Sequence, residues 1–237
     1  MSILFFDIVI QWNKQWESGL EADAEGESGR GQQGEIRKGG TSGNAVDADP
    51  YADIRYLALT FDDGPHPVYT PLLLDGLQER GVKATFFVTG ENALEYPELI
   101  EHMQEEGHLI GNHTYSHVEL SAVGQEVFLE ELAKTSQVLE EMTGEEIIYV
   151  RPPYGEWNKE IEELCGMFPV LWDVDSLDWY SKNTDTVIRR VLADVEEGDI
   201  ILMHDGYQST VEAALYMIDE LMAQGYEFVT VDELLFD

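Results

Sequence analysis

Tyr56-Leu-Ala-Leu-Thr-Phe-Asp-Asp-Gly-Pro65 is an apolar, β-rich run that stops on two carboxylates and a turn. The Gly-Pro step breaks the strand and leaves Asp62 and Asp63 at its mouth. Alternation along a strand points adjacent side chains in different directions. One aspartate can therefore bind a metal while the other stays free for proton transfer. Further strand-like runs follow at Ala84–Val88, His108–Gly111, Ile147–Val150, Val170–Val174, Asp199–Met203 and Tyr226–Val231. Helix-period segments separate them, at roughly 67–80, 94–106, 122–142, 156–166, 184–196 and 209–224. In the last, Val211, Ala214, Leu215, Ile218, Leu221 and Met222 keep one apolar face, and Gly225 supplies the stop. Strands alternating with helices predict an α/β protein with a parallel sheet, open or closed into a barrel. The ~190 residues available suit a barrel of about seven strands, short of the usual eight units.

The residues just past these strands carry the chemistry. His113 and His117 follow the third run, Arg151-Pro-Pro-Tyr-Gly155 the fourth, Asp175-Ser-Leu-Asp178-Trp179 the fifth and Leu202-Met-His204-Asp205-Gly206 the sixth. In α/β folds the C-terminal strand ends share one face, so these groups are expected to meet there. A four-residue spacing predicts His113 and His117 on one side of a helical turn, within reach of one ion. Two histidines and a carboxylate leave coordination positions open, which suits catalytic zinc and also non-haem iron. Taken singly each group has an ordinary alternative. Asp-Asp-Gly is often only a turn, Arg151 a structural ion pair, Trp179 and Leu202 core, and Asp178 a turn cap with Asp175 as its substitute. Five weak signals on one expected face are what point to an enzyme.

Composition narrows the class. The 237 residues hold 13 basic and 48 acidic side chains, a net charge of −35. Residues 1–50 hold 4 basic and 9 acidic residues, which leaves −30 on residues 51–237. Such a field repels phosphate backbones and anionic membranes, so no nucleic-acid partner is expected. It favours neutral or cationic ligands, or simply keeps a highly charged surface solvated. Cys165 is the lone cysteine, which excludes intrachain disulfides, and its apolar neighbours predict a small buried residue. Met1 to Trp12 is apolar but far short of the ~20 residues of a membrane span. It also lacks the basic segment and cleavage site of a secretory signal. The glycine-, glutamate- and serine-rich stretch 17–50 is expected to be a disordered linker before a folded domain at 51–237.

TFDDGP, NHTYSH, RPPYG, DSLDW and LMHDG, in that order, resemble the motifs of the polysaccharide deacetylases, carbohydrate esterase family 4. The resemblance covers about residues 55–237 and implies a distorted, incomplete (β/α) barrel that hydrolyses N-acetyl groups on sugars. By motif, Asp63, His113 and His117 resemble zinc ligands, although another divalent transition metal can occupy such a set. Asp62 resembles the general base that activates the metal-bound water, with Arg151 as its partner. His204 resembles the general acid, its imidazole oriented by Asp178, and Trp179 and Leu202 look like walls of the acetyl pocket. Pro152 and Pro153 carry no N–H, so Tyr154 is the first backbone donor after Arg151 for an oxyanion. One departure is Lys182, where relatives often carry arginine. The resemblance implies a glycan partner, peptidoglycan or chitin-like, and a place outside the cytoplasm. Other readings are an O-acetyl xylan esterase, an inactive carbohydrate-binding barrel, or a non-haem iron oxygenase, for which TFDDGP and RPPYG have no evident role. Oligomeric state is not legible.

Overall fold

The computed structural model describes residues 54–236, so the expected apolar stub and linker lie outside the described residues. The opening run forms β1, Arg55–Asp62, at the centre of the sheet. Leu57, Ala58, Leu59 and Phe61 are at most 1% exposed, as expected where a parallel strand is covered on both faces. The strands that follow are β2 (Thr85–Val88), β3 (Leu109–Asn112), β4 (Tyr149–Val150), β5 (Phe168–Pro169), β6 (Val174–Asp175), β7 (Ile200–His204) and β8 (Tyr226–Val229). Their order is β5-β4-β3-β2-β1-β7-β6, and every ladder is parallel. β8 joins β1 as well. Ala58 is registered with Ile200 of β7 and Val229 of β8, so β8 lies on the side that β2 occupies further along β1. The chain forms an incomplete (β/α) barrel, as the alternation predicted.

The expected fifth strand, Val170–Val174, is divided into β5 and β6, with residues 170–173 between them. No ladder joins β5 to β6 among the described residues, and the barrel is open there. Arg151 explains the division. Its guanidinium donates from Nε to the Val170 carbonyl at 3.0 Å and from Nη2 to the Leu171 carbonyl at 3.0 Å. Carbonyls that would serve a sheet ladder are drawn to a buried cation.

The helices are α1 (Tyr69–Arg80), α2 (Gly90–Glu95), α3 (Pro97–Glu105), α4 (Leu120–Val123), α5 (Gln125–Thr143), α6 (Lys159–Cys165), α7 (Asp178–Ser181), α8 (Thr184–Asp194), α9 (Gln208–Ala223) and α10 (Val231–Phe236). The longer ones fall in the expected segments, whereas the short α7 and α10 lie outside them. Two expected helices are each split. Pro97 opens α3 at a position where its missing N–H costs nothing, which parts α3 from α2. Gly124, at φ 80°, parts α4 from α5. The Asn158 side chain caps α6 by accepting from Ile161 N, and Asn183 caps α8 by accepting from Thr186 N. Thr230 ends the last strand early, and α10 follows where the apolar run alone suggested more strand. Cys165 is half-buried rather than buried, at the end of a short helix.

Candidate active site

Asp62 is the last residue of β1, 3% exposed, and is registered with His204 at the end of β7. In-register neighbours of parallel strands face the same way, so these side chains leave the sheet together. Asp63 does not continue the alternation. Its φ of 72° is left-handed, and this bend, more than a pleat, turns its side chain from that of Asp62. Gly64 has to be glycine here. A Cβ would lie 2.5 Å from the carboxylate of Asp205, which packs against the turn. The Asn92 side chain donates to the Asp63 carbonyl at 2.7 Å and pins the bend from α2.

His113 and His117 do not lie on a helical turn, contrary to the spacing argument. They stand on an irregular loop after β3, with Thr114 at φ 62° and His117 at φ 55°. The loop is shaped by specific bonds that no periodicity reveals. Asn112 Oδ1 accepts from Thr114 N at 2.8 Å, Glu131 accepts from Ser116 N at 2.7 Å, and Gly90 N donates to Thr114 O at 3.0 Å. The two imidazoles still converge. Nε2 of each lies 3.3 Å from Asp63 Oδ1.

This trio fits a divalent cation on chemical grounds. His113 Nδ1 donates to the Arg151 carbonyl at 2.6 Å, which turns Nε2 and its lone pair toward Asp63 and His117. The three ligand atoms all lie within 4.8 Å of one another. Burial raises the Asp63 pKa, but the hydrogen bond from His113 and the charges of His113 and His117 outweigh it and hold it at about 2. Burial lowers the His117 pKa, favouring the neutral, ligating imidazole. Burial also opposes a proton on His113, yet the charge of Asp62 and the bond to Asp63 win and raise its pKa. Positive charge is favoured at this spot whether a proton or an ion brings it.

Two dyads flank the trio. Arg151, fully buried, donates from Nη1 to Asp62 Oδ1 at 2.8 Å and to Thr60 Oγ1 at 2.6 Å, while Asp62 Oδ2 lies 3.8 Å from His113 Nε2. On the other side His204 Nδ1 pairs with Asp178 Oδ1 at 2.8 Å. Asp178 Oδ2 accepts from His204 N and from Thr210 Oγ1, both at 2.7 Å. Burial lowers the His204 pKa, but the hydrogen bond and charge of Asp178 override it and raise it to about 9. Asp178, not Asp175, orients His204; Asp175 Oδ1 accepts from Leu177 N and serves its own turn.

Tyr154 follows Pro153 at φ 59° in a single 3-10 turn, whose bonds run from Gly155 N to Pro152 O and from Glu156 N to Pro153 O. Its ring meets His117 edge-on at 5.0 Å. Trp179 is half-exposed rather than core, beside Tyr180, and its backbone N–H donates to Asp178 Oδ1. Leu202 is buried on the face of β7 shared with His204, registered with Thr60 and Asp175. Thr60, Thr210 and Asn92 are parts of the site that sequence reasoning missed. Thr60 could have been found, because it shares the strand face of Asp62 two residues on. Thr210 and Asn92 sit in helical segments with no local signal.

Two buried dyads, Arg151–Asp62 and Asp178–His204, thus flank an Asp-His-His cluster at the strand ends of a (β/α) barrel. A family model for polysaccharide deacetylases matches residues 50–167. Over 178 residues the chain is 40% identical to a peptidoglycan-N-acetylglucosamine deacetylase of Listeria monocytogenes serotype 1/2a, covering 75% of this chain and 38% of that protein. It is 36% identical over 189 residues to a peptidoglycan-N-acetylglucosamine deacetylase of Bacillus cereus, covering 76% of this chain and 88% of the relative. The solved structure of the peptidoglycan deacetylase PdaC from Bacillus subtilis superposes with a TM-score of 0.74 at 40% identity, over 76% of this chain and 89% of that one. The chain belongs to the polysaccharide deacetylase family. It spans less than two fifths of the length of the Listeria relative.

Proposed function

We propose that this chain is a metal-dependent hydrolase that removes N-acetyl groups from N-acetylglucosamine residues of a glycan, peptidoglycan or a chitin-like polymer. The observation that carries this reading is the pair of dyads, Arg151–Asp62 and Asp178–His204, set on either side of Asp63, His113 and His117. Those three residues would hold a divalent ion, zinc by preference for two imidazoles and a carboxylate. When bound, zinc supplies Lewis acidity toward a carbonyl oxygen and a water.

The chain's own groups then divide the proton work. Asp62, aimed by Arg151, takes the proton of the attacking water. His204, charged through neutrality with its pKa near 9 and oriented by Asp178, gives a proton to the amide nitrogen as the C–N bond breaks. Acetate and a free amine leave. The Tyr154 N–H meets the developing oxyanion, a contact worth ~3 kcal/mol in other enzymes. Trp179 and Leu202 wall the acetyl methyl. The names of the relatives support a cell-wall glycan and a place in or outside the cell envelope.

Acetate release from N-acetylglucosamine oligomers by metal-stripped protein, with and without zinc, tests the reading. Zinc-restored acetate is the expected outcome. No acetate from oligomers, peptidoglycan or acetylated xylan with any divalent transition metal would sink it. Asp62→Asn is expected to retain zinc by metal analysis while turnover falls by about 10²–10⁴-fold. Substantial residual turnover would remove Asp62 as base.

A further inference from the structure

The two imidazoles that meet at Asp63 Oδ1 are held in different ways. His113 is buried, and its second ring nitrogen donates to the Arg151 carbonyl, so the ring has a fixing bond of its own. The side chain of His117 is 32% exposed. Its ring is flanked by those of His113 and Tyr154, but among the described residues nothing bonds its Nδ1. A ligand ring without such a bond takes its aim from the backbone. That backbone is left-handed, at φ 55°, a conformation that a residue with a β-carbon keeps only where its surroundings impose it.

The residues on either side of His117 show what imposes it. Val118 N donates to Thr114 Oγ1 at 3.3 Å, a bond within the loop itself. Ser116 reaches outside the loop. Its N–H at 2.7 Å and its hydroxyl at 3.1 Å both donate to Glu131 Oε2, on α5. A carboxylate makes these bonds charge-assisted, the stronger kind. Lys134, three residues further on and so on the same helix face, holds its Nζ 3.1 Å from the centroid of the Tyr115 ring. Asn112 ties the start of the loop to the same helix, donating from Nδ2 to the Leu132 carbonyl at 2.9 Å and to Ser136 Oγ at 3.0 Å. Helix α5 supplies no ligand, yet the ligand-bearing loop is shaped against it. Of its contacts, the one from Glu131 falls nearest His117 in the chain.

We propose that Glu131 is a positioning residue for His117. By accepting twice from Ser116 it keeps the next residue in the left-handed bend that brings His117 Nε2 to Asp63, and so it sets the affinity of the site for a divalent ion. This rests on Asp63, His113 and His117 being metal ligands. Glu131 itself touches neither the ion nor the glycan, and its effect is read in metal binding before any turnover.

The test is a zinc titration of the metal-stripped full chain in competition with a chromophoric chelator, for wild type, Glu131→Ala, Glu131→Gln and Ser116→Ala. Glu131→Ala is expected to bind zinc about tenfold more weakly, the lower end of the range for residues that orient metal ligands. Glu131→Gln keeps an acceptor oxygen without the charge and is expected to recover most of that loss. Ser116→Ala, which removes only the hydroxyl bond, weakens zinc in the same direction by a smaller factor. The visible bands of the cobalt(II)-loaded proteins report ligand geometry, and they are expected to change in Glu131→Ala and return in Glu131→Gln. Zinc bound equally by wild type and Glu131→Ala overturns the proposal alone. Equal weakening in Glu131→Ala and Glu131→Gln, or unaltered cobalt bands in Glu131→Ala, also overturns it, because charge and not positioning is then responsible. A wild type that binds no zinc overturns the metal-ligand reading and this proposal with it.

Discussion

Asp205 shows how a residue beside the chemistry can control stability without touching the reaction. Its carboxyl is 1% exposed, accepts from the Thr70 hydroxyl through Oδ2 and leaves Oδ1 without a partner. Burial, reinforced by the charge of Asp63, pushes its pKa from 3.8 up to about 7. The folded state therefore keeps a proton that the unfolded chain releases near pH 3.8, and stability falls as pH rises from there to about 7, then levels. Asp205→Asn in metal-free protein is expected to flatten that fall, by at most about 1.4 kcal/mol per pH unit. Denaturant melts of both proteins across the window check it, and identical slopes would refute it. The identity of Asp205 was plain in the sequence beside His204. Its role was not, because it depends on a Thr and a Gly more than 130 residues away.

At the scale of elements, Arg151 joins what the sheet leaves apart. From the end of β4 it reaches Thr60 and Asp62 of β1 and the two carbonyls between β5 and β6, and it packs over the Phe87 ring at 4.3 Å. Arg151→Met is expected to cost about 3–5 kcal/mol of unfolding free energy, because it leaves Asp62 buried without its cation. Adding Asp62→Leu should recover much of that loss, although not activity; a double variant no more stable than the single one would refute the account. Alternating strand and helix placed β1, β7 and α9 correctly, since each is a long segment whose apolar pattern has one interpretation. The fifth strand and the His113–His117 segment were misread for a common reason. Two-residue strands and loops pinned by Asn112 and Glu131 have no period to detect, and their shape comes from long-range bonds.

For the molecule as a whole, the dominant physical fact is its charge. With 48 acidic against 13 basic residues, self-repulsion opposes the compact state and is relieved by screening. The thermal midpoint is expected to rise between about 0.05 and about 1 M NaCl, which calorimetry can follow; a flat or falling midpoint would assign the charge no energetic role. The sequence by itself determined the order of strands and helices and the family. It also determined which acids and histidines stand at strand ends, because these are local properties of composition and period. It did not determine how those groups face one another. The left-handed bend at Asp63 and the 3.3 Å approach of both imidazoles to one carboxylate oxygen were decided by tertiary structure alone. Each depends on partners from other strands and helices, whose distance and direction exist only once the barrel has packed.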